Sequence, residues 1–181
     1  MKYILVIAFL FISFQTMAQD FVREKDRKTG KVLLRGQVKF EDLQDEAVYK
    51  WFGAGVSKYE PKKEVIEGLK KYNAPYKFII FMGTWCEDSQ TLIPQLYKVL
   101  TLAGINLHAV EMYGVNRDKE ALNIETKLYN ISRVPTIIVM HQFREVGRIT
   151  ESVTSSIEED LLAIIAPDFQ KLEQKRLNRF K

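Results

Sequence analysis

The sequence predicts an α/β domain, a central mixed β-sheet with helices on both faces, preceded by an N-terminal extension. Three observations carry this expectation. Phe78 to Met82 is an uninterrupted apolar run of strand length, the pattern of a buried strand. Around it, apolar runs alternate with stretches whose apolar residues recur at helical spacing, an order that implies parallel strands joined by right-handed crossovers. Near the end, Thr136 to Met140 and Glu145 to Ile149 are separated by a short polar turn, which predicts an antiparallel hairpin at one edge.

Taken in order, Asp20 to Gly30 is polar and predicts poor order, while Lys31 to Phe40 predicts a first strand through Val32, Leu34 and Val38. Glu41 to Phe52 has helical spacing at Leu43, Ala47 and Trp51, with Gly53 and Gly55 as its terminators. Tyr49, Trp51, Phe52 and Tyr59 read as aromatic cover for a core. Pro61 suits the first position of a helix whose apolar face is Val65, Ile66, Leu69 and Tyr72. Beyond the central strand, Gly83 breaks the run, and Leu92, Leu96, Val99, Leu100 and Ala103 mark a helix that begins just past Cys86 and closes at Gly104. Leu107 to Met112 is expected as a strand, and Asp118 to Tyr129 as a helix with Ala121, Leu122 and Leu128 turned inward. Overlapping capping boxes, Ser155 with Glu158 and Ser156 with Glu159, open a last helix through Ile157, Leu161, Leu162, Ile164 and Ile165, and Pro167 is expected to end it. Residues 167–181 then form a basic C-terminal tail.

Cys86 is the sole cysteine, so no internal disulfide is possible and the thiol is either free or an intermolecular partner. It falls where a helix starts, where unpaired amides carry partial positive charge and favour a thiolate. Glu87 and Asp88 oppose that effect while suiting the same helix dipole, and no net sign follows.

Trp85-Cys86-Glu87-Asp88-Ser89 resembles the Trp-Cys-x-x-Cys signature of thioredoxin-like proteins, with Ser89 in place of the second cysteine. Pro94 resembles the proline that kinks that family's active-site helix, and Tyr129 to Thr136 resembles the segment holding its cis-proline, here Pro135. The resemblance covers roughly residues 60–166 as a thioredoxin-like domain, leaving 19–59 as an extension. It implies a thioredoxin-like fold, with Cys86 and Ser89 at the catalytic positions and Trp85, Val134 and Pro135 holding an extended client. Two departures concern one half-reaction. Ser89 cannot attack a mixed disulfide to release a client, and the family's buried carboxylate six residues before the active cysteine is here Ile80. The reading is therefore a monothiol exchange protein whose single nucleophilic cysteine forms mixed disulfides with client proteins carrying a cysteine or disulfide, or with a small thiol. The alternative is a non-catalytic thioredoxin-fold module that binds peptides or proteins.

Other chemistries lack residues. His108 and His141 have no partners at metal-ligand spacing, so neither a metal nor a cofactor is expected, and there is no phosphate-binding glycine loop or serine elbow. The net charge of +4 sits at the ends: residues 20–35 carry six basic and three acidic side chains, residues 168–181 five and two. The body is mildly acidic and lacks interleaved Arg and aromatic residues, so no nucleic-acid partner is expected. Residues 1–18 have the layout of a signal peptide: Lys2, a short apolar run and small residues at Thr16 and Ala18. Cleavage before Gln19 is expected, leaving no stable membrane span and placing the protein outside the cytoplasm, periplasmic or extracellular.

Overall fold

Alternation along the central strand sorts the sheet into two faces. In the computed structural model, which describes residues 20–72 and 75–178, this strand spans Tyr76–Met82. Phe78, Ile80 and Met82 point into one apolar cluster, and Ile79 and Phe81 into another. The leader expected at residues 1–18 lies outside the described residues, as do 179–181 of the tail.

The elements are β1 (Phe21–Lys25), β2 (Val32–Val38), α1 (Lys50–Lys58), α2 (Lys63–Lys70), β3 (Tyr76–Met82), α3 (Glu87–Leu102), β4 (Val110–Gly114), α4 (Glu125–Leu128), β5 (Thr136–His141), β6 (Arg144–Thr150) and α5 (Ile157–Asn178). The strand order is β1-β2-β4-β3-β5-β6. Only β3 and β4 run parallel; the other neighbours are antiparallel, and β5 with β6 forms the expected edge hairpin. Helices lie on both faces but unequally. Side chains of α1, α2, α3 and α5 share the cluster of Ile80 and Met82, whereas the opposite face is covered by residues 115–135, which contain only the four-residue α4.

Several expectations need correction. Asp20 to Gly30 is ordered, because β1 pairs along its length with β2 and the turn closes on Asp26, whose carboxylate accepts from the amide and hydroxyl of Thr29. The residues read as an extension thus supply two strands of the same sheet. Gly53 and Gly55 do not end a helix; they lie inside α1, which starts later than its spacing suggested, after a 3₁₀ turn at Phe40–Leu43. Gly55 is there because α1 crosses α3 at Pro94: a Cβ on Gly55 would come within 2.8 Å of the proline ring. Leu107–Ala109 is a 3₁₀ turn leading into β4, so His108 lies ahead of the strand, exposed.

Most of the helix expected over Asp118 to Tyr129 is absent. Asn116 accepts from the amides of Asp118 and Glu120, Lys119 takes a positive φ of 61°, and the backbone turns back before α4. Ala121 is buried as expected, but Leu128 is exposed. Finally, α5 runs through Pro167. Contacts on the far side hold it: Asp168 lies buried against the Tyr76 hydroxyl and the Arg144 guanidinium, and Phe169 packs edge-on against Tyr72. These outweigh the backbone bond that proline forfeits. At its start, Ser156 exchanges bonds with Glu159, while Glu158 turns inward to accept from Tyr59 and the Lys62 amide.

Candidate functional site

The turn between β3 and α3 has little freedom. Cys86 occupies the N-cap of α3 in an extended conformation, its amide donating to the Gly83 carbonyl and its own carbonyl accepting the first helical bond from Gln90. Its Sγ is therefore presented at the helix tip, half-buried, and donates to the Val134 carbonyl at 3.3 Å. The Val134–Pro135 peptide bond is cis and both residues are buried. Cys86, Val134 and Pro135, which the sequence separates widely, are thus brought together. Glu87 and Asp88 remain exposed in the first helical turn.

Ser89 is in the same turn but faces elsewhere. It is fully buried, and its Oγ accepts from the Gly83 amide at 3.2 Å, so it secures the bend ahead of the helix and forms no bond to Cys86. Ile80 is fully buried in the helix-side core, with no carboxylate in that place. The Thr84 hydroxyl, also in the bend, is buried without a hydrogen-bond partner among the described residues.

Trp85 is held on three sides. Its indole Nε1–H donates to the Val115 carbonyl at 2.8 Å. Gly83 lies against the ring so closely that a Cβ there would sit 2.6 Å from it. Over the ring lie the Arg117 guanidinium at 4.8 Å and the Lys119 ammonium at 5.9 Å. Arg117 in turn makes a bidentate pair with Asp26 in the β1–β2 turn, at 2.7 and 2.8 Å. The Arg117 hydrogen bonds, reinforced by Thr29, hold the Asp26 carboxyl well below the usual carboxylate range. On the same face Tyr113 stacks on Phe81, and burial pushes its hydroxyl up to about 12. Sequence reasoning missed Asp26, Arg117 and Lys119; 91 residues separate Asp26 from Arg117, and no motif links them.

The two histidines are remote from this cluster. His141 ends β5 at the pole opposite Pro135, buried with Nδ1 3.5 Å from Asp168. No cluster of three metal-ligating side chains occurs among the described residues, and no helix among them is long and apolar enough to cross a membrane.

No protein-family model matches this chain, and no curated protein matches it. Solved structures do resemble it. A protein of unknown function from Pseudomonas aeruginosa is 20% identical, covering 68% of this chain and 74% of that one, with a TM-score of 0.43. Mitochondrial thioredoxin 3 from Saccharomyces cerevisiae, in oxidized form, is 16% identical over 62% of this chain and 98% of its own, at 0.37. A mutant thioredoxin from Halobacterium salinarum is 19% identical over 59% and 83%, at 0.35. The fold is α/β and thioredoxin-like: β3, α3 and β4 form the parallel unit, β5 and β6 the antiparallel hairpin, and a cis-proline loop faces the helix-tip cysteine.

Proposed function

We propose that this protein is a thiol:disulfide exchange protein working through the single nucleophile Cys86. The observation that supports it most is the placement of a partly accessible sulfur at the N-terminus of α3, 3.3 Å from the carbonyl that precedes the cis-proline. The thiolate is the attacking species. In the exchange, Sγ⁻ attacks one sulfur of a client disulfide; an Sγ–S bond forms, the client S–S bond breaks, and the departing client sulfur leaves as a thiolate that takes a proton from water. With Ser89 buried and bonded to Gly83, nothing in the chain reverses the step. A thiolate from outside, a client cysteine or a small thiol, attacks the mixed disulfide and returns Cys86. No net oxidation occurs. Trp85, Val134 and Pro135 form the wall against which an extended client lies. The signal-peptide layout of residues 1–18 supports exchange outside the cytoplasm, in the periplasm or beyond the cell.

The absence of a resolving thiol equally suits a second reading, a thioredoxin-fold module in which capture is an end in itself. Two measurements separate the readings. Under exchange, Cys86 reacts with iodoacetamide faster than a model thiol, and a mixed disulfide with glutathione turns over when excess thiol is added. Reaction no faster than the model thiol would remove the support for exchange, and a captured client that excess thiol fails to release would favour the latch. Cys86→Ser abolishes capture under either reading.

A further inference from the structure

We propose that Asp26 and Arg117 form a positioning pair that clamps Trp85, the residue before Cys86, making the N-terminal hairpin part of the site. The inference rests on the exchange reading for its purpose but not for its geometry. Asp26 is 2% exposed and is tied from four directions: both carboxylate oxygens to Arg117, and one of them also to the Thr29 hydroxyl at 2.6 Å and amide at 3.1 Å. The turn's own backbone locks it further, since the Gly30 amide donates to the Asp26 carbonyl. A carboxylate so fixed fixes its partner, because bidentate pairing restrains the orientation of the guanidinium plane as well as its position. The guanidinium lies 4.8 Å from the centre of the Trp85 ring, which also packs closely on Gly83 and is bonded through Nε1 to Val115. The partly exposed indole is thus held at three points, and Cys86 follows it immediately in the chain.

The test needs no client, so its outcome is independent of whether exchange occurs. In a Trp51→Phe background Trp85 is the sole tryptophan. Asp26→Asn and Arg117→Gln are expected to lose much of the protection of Trp85 from acrylamide quenching. Both variants are also expected to change the rate of iodoacetamide reaction at Cys86, measured at one fixed pH, by about threefold, because the residue before the sulfur is no longer held in place. Arg117→Lys keeps the charge without the fork, so it should increase quenching and change the rate as Arg117→Gln does. A merely structural role would lower stability and leave the rate of the folded protein unchanged. Unchanged quenching in folded Asp26→Asn overturns the clamp, and an unchanged iodoacetamide rate in folded Arg117→Gln overturns its role in positioning the site.

Discussion

The two faces of the sheet are built by opposite means. One is covered by α1, α2, α3 and α5, and its cluster runs unbroken from Leu34 through Ile80, Leu96 and Met112 to Leu161. The other buries Ile79, Phe81, Val115, Ala121, Val134 and Ile138 under residues 115–135, nearly all irregular backbone. Regular helices satisfy their own backbone, and the buried charges of α5, Glu158 and Asp168, bond to groups on other elements. An irregular cover must find partners for its own amides and carbonyls, and here Asn116, Arg35 and Trp85 provide several of them. The comparison teaches that polar side chains on the irregular face serve its backbone, and that Cys86 sits at the seam between the two covers.

If stability resides in the helical face and chemistry on the other, substitutions should separate the two. The largest expected effect is that of Leu96→Ala, fully buried in α3, which should cost about 2–5 kcal/mol by urea unfolding and leave the iodoacetamide rate of the folded protein unchanged. A large change in that rate would break the division. Next is Gly55→Ala. Helix propensity alone favours it by up to about 1 kcal/mol, but the 2.8 Å approach to Pro94 makes it overpacked, so a net loss of about 1–3 kcal/mol is expected in thermal unfolding. A gain would show that α1 can ride away from α3.

At the seam, Ser89→Cys replaces the acceptor of the Gly83 amide with a weaker one and should cost about 1 kcal/mol. The same change should create dithiol reductase activity in an insulin-reduction assay; no activity at all would question the pairing geometry of positions 86 and 89. The smallest effect belongs to pH. The lowered carboxyl of Asp26 contributes stability that is present above its unfolded value near 4 and is lost as pH falls toward its folded one. The stability difference between wild type and Asp26→Asn should therefore be constant above about pH 5 and shrink below about pH 4. A difference independent of pH would mean that the carboxylate charge contributes nothing.

Much of the helical face was legible in the chain. The apolar spacing of Leu92, Leu96 and Val99 set the buried side of α3, and Ile66 and Leu69 that of α2, because a helix reports its burial within two turns. The other face was not, and Asp118 to Tyr129 shows why. Ala121 and Leu128 have helical spacing, yet one is buried and the other exposed, since the backbone leaves the helical region at Lys119, with a φ of 61°, and turns before α4. Pro167 misled in the other direction: a local stop signal yielded to contacts of Asp168 and Phe169 with residues nearly a hundred positions away.

What the sequence alone determined is local. The central strand, the helix beginning at Cys86, the bend before it and the missing second thiol all depend on residues within a few positions of one another, where sterics and hydrogen-bonding preference act directly. Only the tertiary structure decided that Asp26 reaches Arg117 over Trp85 and brought Sγ to 3.3 Å from the carbonyl before the cis-proline that the resemblance implied. Those contacts join segments that sheet order places side by side, and strand pairing across such separations is settled by the burial of the whole core.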